Sequence, residues 1–191
     1  VPPCAVLLAQ HTAPELRDRG IQRRGGAPGP RGSAGAGWGD PVEREPDRVA
    51  EDVRYELVSE GVARDIYGVI VTKDRKLDTK ATEKRRAEIR NERLTWIAEK
   101  TLSGGPDAKS KGDLVATIGD RASIQRVGGK AYFRCEYGSC FAPAQENWKS
   151  YAKKALAAPA DLGPRIALHT ELEAVRYACP SCARLHWVEI K

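Results

Sequence analysis

The chain has 191 residues and a formal net charge of +6, with 41% hydrophobic, 30% charged and only 6% aromatic residues. This length allows one ordinary domain or two small modules, and so low an aromatic content disfavours one large core. The apolar run at the start, Val1 to Ala9, is too short to span a bilayer and follows no basic stretch. We therefore expect neither a signal peptide nor a membrane segment.

Residues 1–36 are rich in Gly, Pro and Arg and show neither a helical nor a strand period. Such a composition cannot bury enough apolar surface to offset the entropy of ordering. We predict a disordered tail that includes Cys4, a cysteine without an evident partner.

Residues 37–101 predict a helical segment with one short strand. A helix-starting proline, two N-caps and an apolar stripe support it: Pro46, Ser59 and Asp78, and Val49, Val53 and Leu57. The helix after Asp78 is predicted to run from Thr79 to about residue 101, and residues 67–71 predict the strand. Because these elements form little core alone, we expect residues 40–100 to pack against a larger partner.

The sequence predicts a linker over residues 102–112 and a small β-rich module over residues 113–191. Strands are predicted at 114–118, 123–127, 131–133 and 172–177, with strand-like alternation at 184–190 and a helix near 148–156. The fold class that follows is α+β, with a helical segment before a zinc-ribbon-like module.

Two cysteine pairs form the strongest chemical pattern: Cys135 and Cys140 as C-x4-C, then, after a gap of 38 residues, Cys179 and Cys182 as C-x2-C. Tetrahedral zinc needs four soft or borderline donors, and a short loop supplies two adjacent corners. Gly138 and Pro180 suit the turns between the paired cysteines. We predict a closed Cys4 zinc site, which is structural because no position stays open for water.

Two other interpretations of the cysteines stay open. One is a set of unrelated buried thiols, and the other is a redox centre at Cys179-Pro180-Ser181-Cys182, which has the thioredoxin spacing. A redox motif of that kind opens a helix, whereas the residues that follow here alternate like a strand. Zinc fits better, and reduced cysteines kept for zinc fit the cytoplasm.

The histidines and the glycine-rich stretches suggest no further chemistry. His169 and His186 are interpreted as surface or core residues beside a complete Cys4 set. No glycine-rich stretch has the P-loop form, and no Ser–His or His–carboxylate constellation is identifiable. We therefore expect no catalytic residue and no ATP site in this chain.

The helical segment resembles a known family. The residues that carry the resemblance are Gly37-Trp38-Gly39-Asp40-Pro41, Glu45-Pro46-Asp47-Arg48-Val49 and Ala63-Arg64-Asp65-Ile66-Tyr67-Gly68-Val69. They are similar, over about residues 37–90, to the C-terminal end of the hydantoinase B/oxoprolinase family. The resemblance implies membership of such a complex rather than possession of its active site.

The cysteine module resembles the small zinc subunit of acetone and acetophenone carboxylases over about residues 113–191. Its matching stretches are Arg134-Cys135, Phe141-Ala142-Pro143, Trp148-Lys149 and Tyr177-Ala178-Cys179-Pro180-Ser181-Cys182. The resemblance carries all four cysteines over, as structural zinc ligands. It departs at Ala183, where that family usually has glycine.

Together the resemblances imply an accessory zinc subunit of an ATP-dependent ketone carboxylase or of a hydantoinase/oxoprolinase-like complex. Large partner subunits of the hydantoinase A and B type would then handle ATP, bicarbonate and substrate. We expect the chain to be structural rather than catalytic by itself. The alternatives are a zinc-ribbon protein that binds nucleic acid and a non-functional fragment. The turns between the cysteines carry no basic residue, so we expect nucleic-acid binding to be weak.

Overall fold

The computed structural model describes residues 39–107, 109–118, 122–158, 162, 169 and 171–191. The chain divides into two units, Val1–Gly35 and Ala36–Lys191. All described residues belong to the second unit, so the predicted tail and Cys4 lie outside them. The described architecture is α+β, with helices first and antiparallel sheets after them, which confirms the predicted fold class.

A 3₁₀ helix and three α-helices come first: Pro41–Glu43, then α1 (Pro46–Arg54), α2 (Glu60–Asp65) and α3 (Thr79–Thr95). The predicted caps are confirmed, since the Ser59 side chain accepts a hydrogen bond from the Val62 N–H and Asp78 accepts one from the Ala81 N–H. Each cap satisfies an amide that the first helical turn leaves open and stabilises by about 1 kcal/mol. Pro46 stands at the first position of α1, where its missing N–H costs nothing.

The helices enclose a small core of their own, made of four buried residues: Val49, Val53, Ala63 and Val69. Leu57, the third member of the predicted stripe, is 73% exposed. The reason is that α1 ends at Arg54 and the chain then turns through Glu56, whose φ is 60°. Part of the apolar surface expected to need a partner is therefore covered within the chain.

The strand predicted over residues 67–71 forms only at its last residue, as one antiparallel bridge between Val71 and Leu77. The Thr72 N–H donates to the Lys76 carbonyl at 2.8 Å, so the chain turns back at once. Before the turn, Ile70 bonds to helix α3 instead of to a strand, because its N–H donates to the Thr82 hydroxyl at 2.9 Å. Contacts with a helix thus replace the predicted strand pairing.

In the described residues after α3, seven strands form two antiparallel sheets. The first sheet has the order β1 (Asp113–Ile118), β2 (Ala122–Val127), β3 (Lys130–Cys135) and β4 (Cys140–Pro143), and the second has β5 (Lys153–Ala157), β6 (Ala174–Ala178) and β7 (Leu185–Ile190). One core joins residues of both sheets with Tyr151 and Ala152: Ala122, Phe133, Cys135, Phe141, Ala142, Val175, Tyr177 and Cys179. The paired cysteines therefore lie in the main core of the module.

The helix predicted near residues 148–156 is wrong. Only Trp148–Ser150 are helical, as a short 3₁₀ helix, and β5 begins soon after them at Lys153. The Lys154 N–H of β5 donates to the Ile97 carbonyl at 2.8 Å, which gives the residues after α3 a strand neighbour. The same pairing ends α3 at Thr95 rather than near residue 101. Long-range pairing outweighs local helix propensity at both places.

Within the described part of the chain, no helix is long and apolar enough to cross a membrane. The predicted segment limits, 37–101, 102–112 and 113–191, stay a prediction.

Candidate metal centre

The first cysteine pair flanks the turn between β3 and β4. The Gly138 N–H donates to the Cys135 carbonyl at 2.9 Å, and the Cys135 N–H donates to the Ser139 carbonyl at 3.0 Å. Gly138 has a φ of 94°, a left-handed conformation that glycine adopts without steric cost. The predicted turn at Gly138 is confirmed.

The second pair lies in the turn between β6 and β7. The Ala183 N–H donates to the Cys179 carbonyl at 3.0 Å, and the Cys179 N–H donates to the Arg184 carbonyl at 2.8 Å. Ala183 has a φ of 61°, so an alanine occupies the left-handed conformation that glycine favours. This conformation costs a residue with a β-carbon about 1–2 kcal/mol. The missing glycine noted in the sequence therefore strains the turn without changing its path.

Three of the four predicted cysteines come together in space. The Sγ atoms of Cys135 and Cys182 lie 3.6 Å apart. The Sγ atoms of Cys135 and Cys179 and a ring nitrogen of His186 all lie within 4.8 Å of one another. Zn–S bonds of about 2.3 Å place two thiolates of a tetrahedral site about 3.8 Å apart, so this spacing suits zinc. The cluster could hold a soft metal ion.

Cys140 lies on another face of the sheet. It is the cross-strand partner of Arg134, the residue before Cys135. Directly opposed residues of an antiparallel pair share a face, whereas successive residues along a strand alternate. Cys140 therefore shares the face of Arg134 and not that of Cys135. The predicted Cys4 ligand set remains a prediction, with three members gathered and one placed apart.

The structure adds His186, which the sequence analysis assigned to the surface or core. In the β6–β7 ladder Tyr177 pairs with Trp187 and Ala178 pairs with Leu185, so His186 is the extra residue of a β-bulge. A bulge breaks strict alternation and redirects a side chain. Here the side chain it redirects is an imidazole that reaches the thiols.

Aromatic rings surround the His186 imidazole. The ring stacks on Phe141 with centroids 5.8 Å apart, and it meets Phe133 and Trp148 edge-on at 6.1 and 6.3 Å. These contacts restrict the orientation of the ring. The other described histidine, His169, is exposed and lies 4.0 Å from Glu171, away from any such enclosure.

The three gathered thiols act on one another. Hydrogen bonds with Cys179 and Cys182, and then burial, raise the pKa of Cys135. Hydrogen bonds from Cys135 and Cys179 lower the pKa of Cys182 to about 2. For Cys179 the bond to Cys135 lowers the pKa, but Cys182 and burial outweigh it and raise the pKa to about 11. The arrangement favours one thiolate shared by three sulfurs, which is the negative charge that a soft cation would neutralise.

Cys140 differs in its electrostatics as well. Burial raises the pKa of Cys140, and the Arg134 guanidinium opposes that rise. The charged group that acts on Cys140 is thus Arg134, whereas the other three cysteines act on one another.

An ionic network anchors the turn that carries Cys182. Arg184 is only 4% exposed at its side chain and bonds two carboxylates, Glu43 at 2.6 Å and Glu136 at 2.9 Å. Glu43 belongs to the 3₁₀ helix before α1, and Glu136 follows Cys135 in the first turn. Arg184 therefore ties both cysteine turns to the helical segment.

A second, buried ion pair makes the same connection. Arg93 of α3 bonds both carboxylate oxygens of Asp40 at 2.6 and 3.0 Å, with side-chain exposures of 8% and 1%. The Arg93 guanidinium also donates to the Ala183 carbonyl at 3.2 Å, and the Leu185 N–H donates to Asp40 at 2.9 Å. The turn after Cys182 is thus fastened on both sides by groups of the helical segment.

The fold and the cluster define a small α+β protein with a candidate site for a soft metal ion. The chain is 42% identical over 64 residues to the acetone carboxylase alpha subunit of Xanthobacter autotrophicus. That stretch covers 31% of this chain and spans 8% of the relative's length. No protein-family model matches the chain. The match shows a relationship to a carboxylase subunit, whereas the resemblances to a hydantoinase B tail and to a small zinc subunit stay predictions.

Proposed function

We propose that this chain is an accessory zinc-binding subunit, or part of one, of an ATP-dependent ketone carboxylase of the acetone or acetophenone carboxylase type. A place in a related hydantoinase/oxoprolinase-like complex would use the same module. Its zinc is structural, and its partners are large subunits of the hydantoinase A and B type, which carry out the chemistry in the cytoplasm. The chain by itself is not catalytic.

The observation that carries the proposal is the 42% identity to an acetone carboxylase subunit. The relative is by name a subunit, which accords with a role in a larger assembly, and the matched stretch is 8% of its length. Two observations support the structural part of the proposal: the ligand atoms of Cys135, Cys179 and His186 lie within 4.8 Å of one another, and the Cys182 Sγ lies 3.6 Å from that of Cys135. A tetrahedral zinc that takes four protein donors has no position left for water or substrate.

Zinc would act here by cross-linking two turns that are distant in sequence. Cys135 lies in the β3–β4 turn, and Cys179 and Cys182 lie in the β6–β7 turn. Arg184, through its ion pair with Glu43, and Arg93, through its hydrogen bond to the Ala183 carbonyl, connect the second turn to the helical segment. A metal at this point would therefore stabilise the two turns and, through these arginines, their contacts with the helical segment.

The first test is complex formation. We expect the full chain with zinc bound to co-elute with purified acetone carboxylase large subunits in size-exclusion chromatography, at a fixed stoichiometry. A net charge of +6 could cause non-specific association, so the control is an unrelated protein of similar size and charge, run at several salt concentrations. A folded, zinc-loaded chain that elutes alone at every salt concentration contradicts the proposed partners.

The alternative, a nucleic-acid-binding zinc ribbon, predicts a basic exposed surface on the cysteine turns. One base next to these turns, Arg184, is instead buried and paired with two carboxylates. Tyr137 is 56% exposed, but the Arg184 guanidinium lies 5.9 Å from the centre of its ring and the neighbouring Glu136 is acidic. Arg184 is therefore held by carboxylates rather than presented to a phosphate backbone.

We therefore expect only weak RNA and DNA binding that fades steeply with salt, as counterion release requires. Fluorescence titration with labelled oligonucleotides at low and physiological salt measures it. Sub-micromolar binding to one sequence at physiological salt would favour the alternative over the carboxylase assignment.

A further inference from the structure

Five side chains are candidates for the four positions of a tetrahedral zinc: Cys135, Cys140, Cys179, Cys182 and His186. The sequence pairs Cys140 with Cys135, but Cys140 stands opposite Arg134, beside a register shift that leaves Phe141 as an extra residue of β4. The cluster of Cys135, Cys179 and His186 does not include Cys140. The structure brings His186 to the thiols through the bulge in β7. The coordination chemistry of the centre depends on which of these two residues binds.

We infer that the zinc is bound by one imidazole and three thiolates: His186, Cys135, Cys179 and Cys182. This inference rests on the proposed function in that it requires a zinc in the module. Cys140 is then a half-buried thiol of β4 that binds no metal.

Two observations support His186 as a member of this donor set. A His186 ring nitrogen already lies within 4.8 Å of two sulfurs, close to the distances of about 3.6 Å between nitrogen and sulfur in a tetrahedral zinc site. The bulge that redirects His186 is a specific local feature, since the pairing on either side of it is regular. Bulges of this kind are found where a strand must direct one side chain to a site.

The packing of aromatic rings around His186 also supports His186 as a zinc ligand. Phe141, Phe133 and Trp148 hold the imidazole ring in one orientation against the core. Phe141 is the residue after Cys140 and is 3% exposed, so the strand that carries Cys140 contributes its neighbour to this enclosure. In β4, then, Phe141 orients the histidine ligand, while Cys140 shares the face of Arg134.

X-ray absorption at the zinc edge of the full-length, zinc-loaded chain tests the donor set directly. We expect three sulfur neighbours at about 2.3 Å and one nitrogen at about 2.0–2.1 Å. Four sulfur neighbours would overturn the donor set and leave the zinc module intact. A folded chain that binds no zinc would overturn both the donor set and the proposed zinc function.

Variants separate ligation by His186 from packing of its ring. His186→Phe keeps an aromatic ring against Phe141 and removes the nitrogen, so we expect zinc affinity to fall by at least about 100-fold, beyond the 10–100-fold typical of residues that only support a ligand. His186→Cys removes the ring but restores a donor, so it should recover zinc and give four sulfur neighbours.

Cys140→Ser is the matched control and should keep wild-type affinity and the mixed neighbour set. Competition with a zinc-binding dye measures the affinities. Loss of zinc in Cys140→Ser together with full retention in His186→Phe would overturn the assignment.

Discussion

Cys179→Ser should lose the zinc and unfold residues 113–191. The Cys179 side chain is fully buried, and its sulfur hydrogen-bonds with those of Cys135 and Cys182. Structural zinc sites contribute about 10–16 kcal/mol of binding free energy in small peptides, whereas whole domains are stable by only about 5–15 kcal/mol. Loss of one ligand therefore removes most of the net stability of the module. Metal analysis and near-ultraviolet circular dichroism of the core aromatic residues would report the two effects.

Two comparisons make this result specific. Adding a strong chelator to the wild-type chain should reproduce the Cys179→Ser spectrum, because both remove the same metal. Cys4→Ser, in the part of the chain outside the described residues, should leave zinc content and spectrum unchanged. A folded, metal-free wild-type protein with all its thiols free would contradict the prediction.

Arg93→Met should destabilise the chain by about 3–5 kcal/mol, the usual cost of leaving one partner of a buried ion pair without the other. Asp40 would still accept hydrogen bonds from the Val42 and Leu185 N–H groups, but it would lose both hydrogen bonds from the Arg93 guanidinium. The carboxylate is 1% exposed, so water cannot replace the arginine. Urea unfolding followed by tryptophan fluorescence would measure the change in the free energy of unfolding.

Arg64→Met supplies the matched control for Arg93→Met. Arg64 pairs with Asp65 at 2.8 Å, but the two side chains are 57% and 54% exposed. An exposed pair of this kind contributes at most about 1 kcal/mol. If Arg93→Met costs no more than Arg64→Met, the buried pair does not hold the helical segment to the cysteine turn.

The Arg93 and Cys179 variants also bear on how the chain is organised. The sequence suggested a helical segment that needs an external partner and a module that is stable alone. In the structure, Arg93 and Asp40 lie in the first and bond Ala183 and Leu185 of the second. Each part therefore stabilises the other, and we expect the loss of either to weaken both.

The sequence alone determined the features that depend on near neighbours along the chain. Ser59 and Asp78 cap their helices because a side chain reaches an amide three residues on. Gly138 turns between paired cysteines because only a residue without a β-carbon adopts its φ at no cost. The α+β class and the prediction of a metal site in residues 113–191 followed from the same local patterns.

Only the tertiary structure decided the features that depend on long-range pairing. The pairing of Ile97 with Lys154 ended α3 early and replaced a predicted helix with β5. The register that opposes Cys140 to Arg134, and the bulge that turns His186 toward the thiols, both arise where distant strands align. A one-residue change in strand register moves a side chain to the other face, and no local pattern records where a bulge falls. For that reason the cysteine spacing predicted a metal site, while the proposal that His186 rather than Cys140 is its fourth ligand depends on the fold.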